Sequence, residues 1–218
     1  MRNDRRPRRL LTPAALLATV VTLAVPAVSA AALITVGALG ARAKVSFPQS
    51  VDTAFWLTAR KGGAAARIPR AGLVRVIRLR GCARPGAQGQ APLTQVHFQE
   101  LLPDSGSAVT VQSTSGPLNV PVCGHGVSAS TVTAFVPGNL CAVKGGYVAF
   151  NVEGGAAPGF PDGVRYEVFG AAAGAVTDSF TQANATNNGD TLTGTAHPGV
   201  RLLMQIVVGN GRDAGVCG

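Results

Sequence analysis

The chain has 218 residues, of which 46% are hydrophobic and only 13% charged, and a formal charge of +9. That is too apolar for an unfolded polyelectrolyte. With 28 glycines and 14 prolines but two methionines, it also lacks the long side chains that a helical bundle spreads over its surface, and a β-rich domain with many turns fits better.

Arg2, Arg5, Arg6, Arg8 and Arg9 precede an apolar run over 10–25, which Pro26 breaks ahead of Val28, Ser29 and Ala30. This charged, apolar, small-residue order is that of a secretory signal peptide over 1–30, cleaved after Ala30. The run is shorter than the roughly twenty residues a membrane span needs. The apolar segment 31–43, expected to be poorly ordered, leaves an uncleaved anchor as the alternative and as the only link to a membrane. Without 1–30 the chain holds fourteen basic and nine acidic groups, a net of +5. Residues 42–84 carry ten Lys or Arg against Asp52 alone, whereas 85–218 carry four against eight acids.

The elements beyond residue 43 are short runs with period-two character between Gly, Pro, Asn and Asp, which predict strands. They fall at 53–58, with Phe55, Trp56 and Leu57, and at 73–80, where Arg75, Arg78 and Arg80 interrupt Val74, Val76, Ile77 and Leu79. Next comes 95–102, with Val96, Phe98 and Leu102 on one side and Gln95, His97 and Gln99 on the other, a half-buried pattern. Clean alternation follows at 108–114, 130–136 and 147–152, then at 164–169 and 202–208, with 191–195 weaker. Two loops stand out, the Gly- and Pro-rich 153–163 and the Asn-rich 181–190. Eight or nine strands without an amphipathic helix predict an all-β, antiparallel β-sandwich, jelly-roll-like, as one domain over 44–218.

Cys82, Cys123, Cys141 and Cys217 are an even set in a chain read as exported, which predicts two disulfides. No pair has the Cys-x-x-Cys spacing of a zinc site. Sequence order favours Cys82 with Cys123 and Cys141 with Cys217, and a nested arrangement remains open.

Motifs for chemistry are sparse. Gly-x-Ser-x-Gly is absent, and the Gly124-His125-Gly126-Val127-Ser128 run sits in a small-residue loop with no strand-to-helix pattern. No His-Glu-x-x-His cluster is present. A glycosidase needs two carboxyls across a sugar, and Glu153 and Asp162, flanking the glycine-rich loop, are the candidate pair. Asp178, Asn187 and Asp190 are candidate calcium ligands because oxygen donors concentrate there, but their spacing matches no EF-hand. Neither a metal nor a cofactor is expected. Arg75, Arg78 and Arg80 are the candidate anion-binding face, and Tyr147, Phe160 and Tyr166 the candidate aromatic platforms for a sugar. Nucleic acid is not expected as a partner, since the basic stretch lacks interleaved aromatics for base stacking.

Gln95-Val96-His97-Phe98-Gln99, the segment 144–151 with Glu153-Gly154-Gly155, and Leu202-Leu203-Met204-Gln205, in a chain rich in Ala, Gly, Arg and Val and poor in Lys, resemble segments of uncharacterised secreted β-sandwich proteins of high-GC Gram-positive bacteria. The resemblance implies a secreted β domain and carries over no catalytic residues. The expected function is that of a secreted, non-enzymatic β-sandwich binding an envelope component or an extracellular glycan. The alternatives are a secreted polysaccharide hydrolase and a structural extracellular protein without a ligand.

Overall fold

The computed structural model describes residues 33–40, 42–43, 45–49, 52–86, 89–152, 164–209 and 217. The leader expected at 1–30 and the loop 153–163, with Glu153, Phe160 and Asp162, lie outside them. Among the described residues there is no helix, and so none long and apolar enough to cross a membrane. The strands in chain order are β1 Ile34–Gly37, β2 Val45–Gln49, β3 Thr53–Ala59, β4 Gly72–Arg80, β5 Cys82–Arg84, β6 Gln95–Pro103, β7 Ala108–Thr114 and β8 Leu118–Asn119. They continue as β9 Val132–Phe135, β10 Cys141–Ala142, β11 Tyr147–Val152, β12 Val164–Thr181, β13 Thr191–Thr193, β14 Thr195–Leu202 and β15 Met204–Val208.

All of these strands pair antiparallel in two sheets. The smaller runs β1-β15-β4-β10, with β9 also on β4; the larger runs β13-β7-β6-β11-β3-β12-β14, with β2 and β5 on β12 and β8 on β6. Between them lies the main core, where Val74, Ile77, Leu79, Met204 and Ile206 of the small sheet meet Phe55, Phe98, Phe150, Tyr166 and Phe169 of the large one. Rings meet edge-on, Phe55 on Phe169 at 4.8 Å and Phe150 on Tyr166 at 5.4 Å between centroids, the arrangement that sets a ring's positive edge on its neighbour's negative face. The architecture is thus the expected disulfide-stapled sandwich, with Cys82 joined to Cys123 and Cys141 to Cys217. Ordered chain begins earlier than expected, because β1 pairs its whole length with β15.

The large sheet is buried on both faces. Ala54, Trp56, Leu101, Val109, Val111, Tyr147, Ala149 and Leu192 form a second core on the face turned away from the small sheet, where β7 and β13 continue past β6. The half-buried reading of 95–102 is therefore corrected: His97, Gln99 and Glu100 are all buried. The loop 182–190 explains part of this, since Gln99 Nε2 donates to the Thr186 carbonyl at 2.6 Å and Asn151 Nδ2 to Thr186 Oγ1 at 3.2 Å. His97 Nδ1 donates to the Ser115 carbonyl at 2.8 Å. β6 keeps its alternation through its unbroken register with β11, so Leu101 follows His97 and Gln99 onto the second face and into its core, while Leu102, on the face of Phe98, is 39% exposed.

Candidate functional site

Opposite-strand register builds a trough on the second face of the large sheet. Trp56 on β3 lies directly across from Asp178 on β12; beyond Asp178 comes Ala196 on β14, and beyond Trp56 comes Ala149 on β11. Two large side chains flanked by two methyl groups leave a depression. Its walls are the 103–108 turn, which contributes Pro103, Gly106 and Ser107, and Tyr147, with Arg67 from the β3–β4 connection. The cleft measures about 440 Å³, within the range of small-molecule sites.

Trp56 is fully buried as part of the floor, and its indole Nε1 has no hydrogen-bond partner among the described residues. The Thr58 hydroxyl lies 3.2 Å from both Asp178 Oδ1 and the Val176 carbonyl, to which it donates. Burial pushes the Asp178 carboxyl above its ordinary value, against the Thr58 hydrogen bond and the nearby charge of His197. At the rim, the Arg67 guanidinium carbon stands 5.8 Å from the Tyr147 ring centroid, a cation–π geometry. The exposed Arg67 has no carboxylate partner among the described residues. Gly194 packs against both floor residues: a Cβ there would come within 2.7 Å of Trp56 Cζ2 and 3.0 Å of Asp178 Oδ2.

The residues singled out from sequence fare unequally. Arg75, Arg78 and Arg80 alternate with the buried Val74, Ile77 and Leu79 along β4. Arg75 is exposed but lies at a bulge where β4 slips against β15, and Arg78 donates to Gln205 Oε1 at 2.9 Å and Arg80 to the Ser130 carbonyl at 2.6 Å. Arg84 pairs with Glu167. Tyr166 is no platform: it is wholly buried, with its hydroxyl donating to the Leu93 carbonyl at 2.9 Å. Tyr147 is 8% exposed and contributes a cleft wall instead of a flat surface. Asp178, Asn187 and Asp190 are not assembled either. Asp190 Oδ2 accepts from the Asn187 backbone and side-chain nitrogens at 2.7 and 3.2 Å, closing a turn, whereas Asp178 faces Thr58. Among the described residues the one cluster of His, Cys, Asp or Glu ligand atoms is Cys82, Cys123 and Glu167, and its sulfurs are spent in a disulfide.

Sequence reasoning missed Arg67, Thr58 and Ser107 as cleft residues, and also a serine–histidine contact, Ser179 Oγ to His197 Nε2 at 2.7 Å across β12 and β14. Neither partner of that contact is among the residues lining the cleft. Among its described lining residues Asp178 is the single carboxyl, so the two-carboxyl arrangement of a glycosidase is not assembled there.

Glu100, on the opposite face, is a second carboxyl raised by burial, against hydrogen bonds from Ser113 Oγ and the Val143 backbone. Both shifts have the same sign in linkage: the folded state holds the proton more tightly than the unfolded one. The stability they contribute is fully present below the ordinary carboxyl value of about 4 and is lost as pH rises through the raised folded value. Thermal melts are therefore expected to show this contribution falling as pH climbs from 4 toward neutrality. Glu100→Gln should flatten that fall and raise the melting temperature at pH 7; an unchanged profile would remove Glu100 from its cause.

No family model, curated protein or solved structure matches the chain.

Proposed function

We propose that this protein is a secreted, non-enzymatic β-sandwich that binds a saccharide of an extracellular glycan or cell-envelope polymer in the Trp56–Asp178 trough. The observation that carries the reading is the composition of the cleft. A floor of Trp56 and walls of Tyr147 and Val109 surround a few polar groups, Thr58, Ser107, Asp178 and Arg67. A sugar is matched by such a wall, because its C–H faces are apolar while its hydroxyls need directed partners. Export is supported by the signal-like order of 1–30 and by two disulfides, bonds that persist in oxidising compartments.

The chain holds one tryptophan, so its emission reports on the cleft floor alone. Titration with soluble fragments of purified cell wall is expected to shift that emission saturably. Gly194→Val, which places methyl groups against Trp56 and Asp178, should weaken binding at least about tenfold, equivalent to 1.4 kcal/mol, while the disulfide-bonded fold survives by circular dichroism. Fragments that leave the emission unchanged, or bind a folded Gly194→Val protein equally well, would refute the reading.

A further inference from the structure

We infer that the saccharide bound in the trough is anionic, carrying a carboxylate or phosphate that Arg67 receives at the rim; this inference rests on the saccharide reading above. Among the described residues, the ionisable groups lining the cleft besides Tyr147 are Arg67 and Asp178, and they differ in kind. Asp178 is 6% exposed, accepts a hydrogen bond from Thr58 and lies beside the indole at the bottom. It suits a hydroxyl, which can donate to the carboxylate or accept from the neutral acid.

Arg67 is exposed, has no acid partner among the described residues, and lies over the Tyr147 ring. A guanidinium held over a ring keeps its planar fork of donors in few orientations, so less freedom is lost when it takes up two oxygens of an anion. A structural ion pair would have supplied Arg67 with an acid, as Glu167 does for Arg84. The surroundings add to the field. The β3–β4 connection carries Arg60, Lys61, Arg67 and Arg70 with no acidic residue between them, and all four are exposed. The opposite wall contributes Asp104, which is exposed in the 103–108 turn and does not line the cleft. A concave site rimmed by cations raises the local concentration of an anionic ligand.

The single indole Nε1–H resonance in a nitrogen–proton correlation spectrum follows occupancy of the floor. Probes are the trimers of galacturonate and glucuronate, galactose 6-phosphate and glucose 6-phosphate, and the neutral trimers of galactose and glucose. At least one anionic probe is expected to bind about tenfold or more tightly than its neutral counterpart at low salt, with the difference shrinking as salt is added. Arg67→Gln should reduce that preference to about twofold, whereas Arg70→Gln, outside the cleft, should leave most of it. The uronate and phosphate arms tell which anion is preferred. Equal affinity for neutral and anionic probes would overturn the inference and leave the saccharide reading standing. A preference that survives Arg67→Gln would overturn the role given to Arg67. If no probe moves the indole resonance, both readings fall.

Discussion

Replacing Cys82 and Cys123 together by alanine is expected to lower the unfolding free energy by about 4 kcal/mol, and replacing Cys141 and Cys217 by about 4.5 kcal/mol, from loop closure alone. The bridges close loops of 41 and 76 residues, and the longer loop restricts the unfolded chain more. Burial reverses the order. Cys82 is fully buried at the start of β5, where Cys123 N–H also donates to the Ala83 carbonyl at 2.9 Å, whereas Cys141 and Cys217 are both half-buried. Losing a buried sulfur adds about 1 kcal/mol of packing and cavity terms, more than the roughly half kilocalorie separating the two loops. The Cys82→Ala/Cys123→Ala protein should thus be the less stable of the two in denaturant titrations. Reduction of both bridges removes about 8 kcal/mol, comparable with the whole stability of an ordinary domain. A reduced chain still melting cooperatively near the oxidised midpoint would show that the sandwich core suffices without its bridges.

Much of the sandwich was legible because period-two alternation survives wherever a strand meets a core. The runs at 108–114 and 147–152 coincide with β7 and β11 residue for residue. Where the period breaks, the signal goes with it. β12 continues through Ala171, Ala172, Ala173 and Gly174, a small-residue stretch with neither alternation nor β-propensity, and its pairing with β14 skips a register there. β14 contains Pro198 and Gly199, which argue against a strand; it is tolerated because β14 lies at the end of the large sheet's strand order. The trough was illegible for a different reason. Trp56 reads as part of a strand and Asp178 as a candidate calcium ligand, but their meeting depends on the β3–β12 register, which no local pattern encodes. Arg67 appeared only as one cation in a basic run. What set it apart, the Tyr147 ring beneath it and the lack of an acid partner among the described residues, is a property of the fold.

The arrangement that joins the sheets yields the other large effect. The chain leaves the small sheet at Arg80 and enters the large one at Cys82, turning on Gly81; it returns through Leu203, between β14 and β15. The two crossings are stitched together. Arg80 N–H donates to the Leu203 carbonyl at 2.9 Å, Leu203 N–H to the Val168 carbonyl at 2.9 Å, and Gly81 N–H to the Thr131 carbonyl at 2.8 Å. Gly81 has φ +130°, and a Cβ on it would stand 1.7 Å from the Glu167 carbonyl oxygen. That oxygen belongs to β12 where it pairs with β5, so it yields only if the ladder beside Cys82 moves. Gly81→Ala is expected to lose about 4 kcal/mol, from about 1 to 2 kcal/mol of backbone strain and a further 1 to 3 kcal/mol of overpacking. Gly145 supplies the contrast, with φ +84° and no atom within 4 Å of its Cβ position, so Gly145→Ala should lose only the strain, about 1 kcal/mol. Denaturant titration of the two variants separates the terms. If both lose the same amount, contact with Glu167 contributes nothing, and the corner between the sheets must be soft enough to open around a methyl group.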